Sequence, residues 1–312
     1  MEQTATQTTE PTSAANTTAD KYAFGAHVIL RWPGRTSLSA AQWWSGFDDY
    51  LALQRVLANH TDTTLVAGAP PNGIGATIAF DYMGGTTREV LIEKDDVNFV
   101  WRINMPDTNA LFSSYVGTAR VESEDATGCD VSYAIDCVLV AKDRDTRMKI
   151  IDQPTPPGPT RVDELARFVL ERDGTKSSFT FPVACDADAL WAVVGNWADV
   201  SWVHGATKAE VTGADRRTVY FEDGTHIDER MWSRDDAKRT LVYEPLASPM
   251  PVRMYLGTLS LEATGTGQTQ VTYTQCFVPK DGLRGEDVKR ALAEAFRARF
   301  AWVQKRFATI TK

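Results

Sequence analysis

Two glutamates stand at matching places in this chain. Residues 84–96 read GGTTREVLIEKDD and residues 224–236 read GTHIDERMWSRDD. In both stretches a glutamate (Glu89, Glu229) follows a glycine by five positions and precedes an Asp-Asp pair. A carboxyl group can move a proton, and in an apolar setting its charged form is disfavoured, which brings its pKa towards working pH. Whether these two point inward is a matter of strand parity, because successive side chains of a strand face opposite sides. Ile227, Glu229 and Met231 share one face; His226, Asp228 and Arg230 share the other, which reads as the solvent side. Glu229 is therefore expected inside, and so is Glu89, which shares a face with Leu91. The same parity turns Tyr255 (with Gly257 and Leu259) and Tyr273 (with Val271 and Phe277) inward. A buried tyrosine hydroxyl either finds a backbone partner or offers a hydrogen bond to a ligand. His204, after the run SWV, is a further acid/base candidate, and an ordinary loop histidine would read the same way. No histidine has ligand spacing with another histidine or with a cysteine, so no metal is expected. Nucleotide-binding glycine loops and the G-x-S-x-G elbow are also missing from the sequence, so no cofactor is expected.

The elements that must position these groups come in two copies. Slid against itself by 140 residues, the chain matches at Gly84/Gly224, Glu89/Glu229, both Asp-Asp pairs, YVGT (115–118) against YLGT (255–258), Glu122/Glu262, Val131/Val271, Tyr133/Tyr273 and Val138/Val278, with no gap. A repeat of this length means two copies of one domain. In the second copy, FTFPV (179–183) reads as a strand, DADALWAVVGNWADVSWV as two short helices opened by an aspartate, and the segments from THIDERMW to QVTYTQCFV as an antiparallel meander. The period then changes: Val288, Leu292, Phe296, Phe300, Val303 and Phe307 recur every three or four places, which predicts one long amphipathic helix. The first copy carries AFGAHVIL as its strand and TRVDELARFVLERDG (160–174) as a closing helix of about half the length, with Thr160 and Asp163 spaced as a capping box. Between meander and helix lies QPTPPGP (153–159), whose prolines suit an extended linker. Residues 1–20, Thr-rich and almost without large apolar side chains, are expected to be a disordered tail. The expected domains are thus 21–174 and 175–312, joined near 173–178.

Bulk composition narrows the function. The 312 residues are 43% hydrophobic and 24% charged, enough for two cores, and the net charge is −8. An acidic chain without a basic stripe is not expected to bind nucleic acid. No apolar run reaches the ~18 residues of a membrane span. The N-terminus lacks a signal-peptide pattern, and the four cysteines lack C-x-x-C spacing, so a cytoplasmic location with reduced thiols is expected.

The motifs LWAVVGNWADVSWV, DGTHIDERMWSRDDAKRTLVYE, PMPVRMYLGTLSLEA and QVTYTQCFVP resemble the polyketide cyclase/dehydratase branch of the START-like, birch-pollen-allergen-like superfamily (SRPBCC). The resemblance covers 178–310 well and 24–172 more weakly. It implies an α+β fold of two tandem helix-grip domains, each a curved antiparallel sheet wrapped around a C-terminal helix over an apolar cavity. The tandem arrangement resembles di-domain aromatase/cyclases, and plant hormone receptors share the fold as sensors. Carried over residue by residue, the resemblance puts Glu229 and Glu89 in pockets, with Tyr255 and Tyr115 beside them. Tyr273 and Tyr133 stand where plant receptors have a second pocket glutamate, which removes one acid. Lys208 falls where a pocket lysine pairs with a ligand carboxylate, and the first copy has Thr61 there. Arg230 falls on the catalytic arginine of some aromatase/cyclases, and the first copy has Val90. Trp202, Ile227, Met231, Tyr243 and Arg253 complete the expected ligand lining.

These readings converge on cofactor-free cyclisation or dehydration of a hydrophobic polyketide-like molecule in the second-domain cavity. Glu229 would move the proton, the tyrosines would donate hydrogen bonds, and Lys208 or Arg230 would hold the developing negative charge. The first domain would be a scaffold or lid. The alternative is non-catalytic binding, transport or sensing of a hydrophobic small molecule. A biosynthetic carrier protein is an expected partner if the ligand is a polyketide.

Overall fold

The computed structural model describes residues 20–57, 62–82, 85–107, 110–152 and 161–307. The first unit runs β1 (Ala26–Thr36), α1 (Ala40–Trp44), α2 (Tyr50–Leu57), β2 (Thr64–Leu65), β3 (Thr77–Tyr82), β4 (Gly85–Asp95), β5 (Val100–Asn104), β6 (Phe112–Asp125), β7 (Gly128–Leu139), α3 (Arg144–Ile151) and α4 (Arg161–Asp173). The second runs β8 (Thr175–Val183), α5 (Ala187–Val194), β9 (Ala206–Val211), β10 (Arg216–Phe221), β11 (His226–Asp235), β12 (Thr240–Ala247), β13 (Val252–Gly265), β14 (Gln268–Pro279) and α6 (Gly285–Phe307). Each unit has a seven-stranded sheet, ordered β1-β7-β6-β5-β4-β3-β2 and β8-β14-β13-β12-β11-β10-β9. All strand pairs are antiparallel. The fold is α+β, with two such sheets in tandem. The 140-residue offset survives as geometry: β13 and β14 have the bounds of β6 and β7 plus 140.

Local signals set the elements. Ser39 and Gln42 form a reciprocal capping box on α1, and Asp186 caps α5. The Asp-Asp pairs serve the same two purposes in both units. Asp95 and Asp235 accept backbone N–H groups of their own turns, while Asp96 and Asp236 accept the indole N–H of Trp44 (2.7 Å) and Trp191 (2.9 Å). Each pair thus fastens a hairpin corner to the helical segment. Only one helix, α5, forms in 186–203, where two were expected; after Gly195 the chain continues in turns.

The closing helices differ. α6 is a single helix of 23 residues that buries Val288, Leu292, Phe296, Val303 and Phe307 against its sheet. Shifted by 140, α3 and α4 fall near the two ends of α6. Between them the sequence carries four prolines, which lack the amide N–H a helix requires. α3, capped by Asp143, was not anticipated. The Pro-rich linker 153–159, Thr160, Thr61 and residues 1–19 of the expected tail lie outside the described residues; Asp20 is described and pairs with Arg144.

α4 packs on two sides. Inside its own unit it buries Val162, Leu165, Ala166, Val169 and Leu170. Gly46 allows this approach, since a Cβ there would sit 2.4 Å from Leu165 Cδ1. The same core cluster also takes in Val242, Met254, Leu256 and Cys276, all from the second sheet. α4 therefore covers an apolar part of the outer face of the second sheet. None of the helices among the described residues is long and apolar enough to cross a membrane.

Candidate functional site

The interior of the second unit holds a polar cluster in an apolar wall. Glu229 on β11 faces inward and is 7% exposed. Its cross-strand neighbour on β10 is Arg217, itself 3% exposed. Arg217 Nε and Nη2 donate to Glu229 Oε2 at 2.7 and 2.6 Å, and its Nη1 donates to the Trp197 carbonyl at 2.8 Å. The guanidinium lies 3.9 Å from the Trp197 ring centroid. The glutamate is thus one half of a buried ion pair, not a free acid/base. Arg217 is not among the residues expected from the parity of β11, although the alternation of RRTVYF puts it on the face of Val219.

Beside this pair three tyrosine hydroxyls meet. Tyr273 Oη lies 2.6 Å from Tyr255 Oη and 2.9 Å from Tyr243 Oη. Burial raises all three hydroxyls above their ordinary pKa, Tyr255 and Tyr273 well above it, so they remain protonated donors. Gly257 makes room for them, since a Cβ there would come within 2.7 Å of Tyr273 Oη. Arg299, from α6, completes the cluster. Its guanidinium lies 5.3 Å from the Trp202 ring and 5.6 Å from the Phe296 ring, with no carboxylate partner among the described residues. Burial works against its charge, but Tyr243, Tyr273, Glu229 and Tyr255 outweigh that and raise its pKa. Arg299 falls on the same helical stripe as Phe296 and Val303, so the helix period alone turns it inward, although it is not one of the apolar residues that mark the stripe.

A cavity of about 20 Å³ lies between sheet and helix, walled by Phe181, Trp202, Tyr273, Phe296, Arg299 and Phe300 among others. Tyr273 and Arg299 therefore reach the cavity, with Tyr243 and Tyr255 hydrogen bonded behind Tyr273.

Several expected site residues are elsewhere. Arg230 is not on a solvent face. It is 3% exposed and bonded to Asp163 of α4 at 2.7 Å and to Glu244 of β12, because α4 covers that side of the sheet. Lys208 is exposed on β9 with its Nζ 4.4 Å from the Tyr220 ring centroid, outside the cavity. Arg253 binds Asp281 at 3.0 Å and the Ser37 and Ala126 carbonyls of the first unit at 3.3 and 3.1 Å, so it is a strut between units. His204 is exposed and stacks edge-on with Trp302 at 5.4 Å, apart from the tyrosines. Met231 is half-buried against the second core, and Ile227 is half-buried near the start of β11. The residues brought together are Glu229, Tyr243, Tyr255, Tyr273 and Trp202, with Arg217 and Arg299 added.

The first unit repeats the tyrosines and glutamate but not the arginine pairing. Glu89 is 5% exposed and faces Ile78 across the strand pair. Its Oε2 has no hydrogen-bond partner among the described residues, and burial pushes its pKa up to about 7, with Arg161 acting in the opposite direction. Tyr115 and Tyr133 hydroxyls stand 3.4 Å apart, too far for a strong hydrogen bond.

Residues 174–309 match the family described as polyketide cyclase / dehydrase and lipid transport. Among solved structures, an uncharacterized protein from Bacillus thuringiensis is 20% identical over 43% of this chain and 98% of its own, with a TM-score of 0.41. The di-domain ARO/CYC StfQ from the steffimycin biosynthetic pathway is 12% identical over 90% of this chain and 99% of its own, TM-score 0.37. The Zhui aromatase/cyclase from a Streptomyces species is 17% identical over 44% of this chain and 95% of its own, TM-score 0.36. No curated protein matches the chain. The matched span contains the second sheet, α6 and every group of the tyrosine–arginine cluster.

Proposed function

We propose that the second unit is a cyclase/dehydratase pocket for an apolar, multiply oxygenated chain of the polyketide type, working with the chain's own residues and no cofactor. The observation that carries this reading is the three-tyrosine cluster with Arg299 on the cavity wall. In an aldol-type ring closure a C–H bond breaks, negative charge develops on the neighbouring carbonyl oxygen, a carbon–carbon bond forms to a second carbonyl carbon, and the alkoxide left on that second carbonyl takes up the proton as a hydroxyl. Tyr273 O–H is the donor for the first of these oxygens. Arg299 supplies positive charge that Glu229, already neutralised by Arg217, does not cancel. Preorganised donors of this kind in a dry site are worth about 3–4 kcal/mol each in barrier lowering. The hydroxyl chain Tyr255–Tyr273–Tyr243 can pass a proton from one oxygen to the next. A substrate must widen the cavity, and Arg299 and Phe300, both only half-buried, form its least closed wall.

The role given to Lys208 and Arg230 in holding charge passes to Arg299. The pairing of Glu229 also favours a second reading, in which the unit binds an apolar ligand without transforming it, because a carboxylate held by a guanidinium is a poor base. The deciding experiment incubates a linear poly-β-ketone thioester with the full chain and follows cyclised product by mass spectrometry. Tyr273→Phe and Arg299→Met are each expected to lower turnover at least ~100-fold, with Lys208→Ala, an exposed residue, unchanged. If Tyr273→Phe and Arg299→Met bind the chain more weakly but the wild type shows no product above the spontaneous background, the binding reading stands in its place.

A further inference from the structure

We propose that the groove at the joint between the two units, on the outer face of the second sheet, is a second small-molecule site that takes a pyranose sugar. The groove has a volume of about 560 Å³, within the range of ~300–1,000 Å³ usual for small-ligand sites. α4 ends at Asp173 and β8 starts at Thr175, and this joint supplies Glu171, Lys176 and Ser178 to the lining. β13 supplies Leu256 and Thr258, and β14 supplies Thr274 and Cys276. The groove lies on the face of the sheet opposite the tyrosines. On β14, Thr274 and Cys276 alternate with Tyr273 and Phe277 of the second core, and on β13, Leu256 and Thr258 alternate with Tyr255 and Leu259.

The floor consists of two rows of side chains in register. One runs Thr258, Thr274, Ser178 across β13, β14 and β8, and the next runs Leu256, Cys276, Lys176. Neighbouring strands lie ~4.8 Å apart, so the first row offers three hydroxyls at about the separation of alternate oxygens around a pyranose ring. None of these three hydroxyls hydrogen-bonds another described residue, whereas Thr240 and Ser260, in the row beyond, meet each other at 3.3 Å. Beside them the Lys176 ammonium is exposed and makes no hydrogen bond or ion pair among the described residues. Arg167 holds Glu171 Oε1 at 2.8 Å, which leaves Oε2 to accept from a ligand. Leu256 and Cys276 are buried and apolar, and Cys276 Sγ donates to the Leu170 carbonyl at 2.9 Å, which fixes the α4 wall against the sheet. Donors and acceptors are thus balanced. An anion would meet the Glu171 carboxylate, a cation would meet Lys176, and an apolar ligand would strip the hydroxyls of water without replacing it. A pyranose answers each group: its hydroxyls both donate and accept, and its C–H face covers Leu256 and Cys276. This site lies outside the cavity of the second unit and does not depend on cyclase activity there.

The test uses the full chain and saturation-transfer NMR with methyl β-D-glucopyranoside, with L-alanine as a competing zwitterion matched to Lys176 and Glu171. Wild type is expected to transfer saturation to the sugar with a millimolar Kd, and L-alanine should not displace it. Thr274→Val keeps the shape of the central residue of the row and removes its hydroxyl, and should weaken the sugar at least ~5-fold. Thr180→Val, exposed on the same face of β8 but outside the groove lining, should leave the affinity unchanged. Valine suits a strand as well as threonine does, so both variants should fold. Equal sugar affinity in wild type and Thr274→Val, equal losses from Thr274→Val and Thr180→Val, or no transfer to the sugar overturns the proposal. Displacement by L-alanine overturns it too and assigns the groove to a zwitterion. Because the readout is the dependence on the hydroxyl row, loss of turnover in the second unit leaves it untouched.

Discussion

Glu89 and Glu229 occupy the same place in two copies of one fold, yet they are different chemical objects. The difference lies one strand away. Across from Glu229 stands Arg217, which makes it a carboxylate in a buried ion pair; across from Glu89 stands Ile78, and its Oε2 has no hydrogen-bond partner among the described residues, with its pKa raised to about 7. The tyrosines diverge in the same way, with hydroxyls at 2.6 and 2.9 Å in the second unit and 3.4 Å in the first. The third tyrosine of the second cluster, Tyr243, has Ile103 as its counterpart, whereas the first unit draws Tyr50 from a helix. A repeat can thus keep its sheet register while a change on a neighbouring strand resets the electrostatics of its interior.

The sharpest way to break the contrast is to make the second unit like the first. Arg217→Met leaves Glu229 buried and uncompensated and should destabilise the protein by ~3–5 kcal/mol in urea unfolding. A loss below about 1 kcal/mol would mean that water reaches the pair in solution.

The next test concerns pH. The native state holds the Glu89 proton until about pH 7, against 4.5 for the ordinary group, so the native state binds more protons between those values. Stability from this group is fully present below the lower value and is lost as pH rises through about 7. The loss amounts to about 3 kcal/mol, at 1.36 kcal/mol per pKa unit. Glu89→Gln should flatten that slope, with unfolding free energies at the two ends of the window as the readout. A slope that persists in Glu89→Gln assigns the titration to another group.

The smallest expected effect lies between the units. Asp163→Asn removes one of two carboxylates from Arg230 and leaves Glu244 in place. The expected cost is ~1–2 kcal/mol, with cavity binding unchanged. If ligand affinity in the second unit fell with it, Arg230 would belong to the site after all, as its position beside Glu229 in the chain had suggested.

Much of the architecture was legible beforehand. The ungapped offset of 140 residues reappears in the bounds of β6/β13 and β7/β14, and the helical stripe from Val288 to Phe307 is one helix. α3 escaped because RDTRMKII lacks a clear apolar stripe; an aspartate cap and the packing of Arg147 against the carbonyls of Ala141, Lys142 and Tyr22 hold it. The site was legible only in part. Parity on a single strand gave the inward direction of Glu229, Tyr255 and Tyr273, because side-chain alternation is a local property of the backbone. It misread Arg230, since parity names two faces without saying which one meets water.

Short-range patterns in the chain encode strand alternation, helix period, turn and cap chemistry, and the doubling of the whole unit. Which charges are paired is set by long-range packing. Arg217 comes to Glu229 from a neighbouring strand, Arg299 comes to Tyr273 from the closing helix, and Asp163 comes to Arg230 from the other unit. Such meetings depend on how elements stack, and the cost of burying an unpaired charge is settled only where they meet.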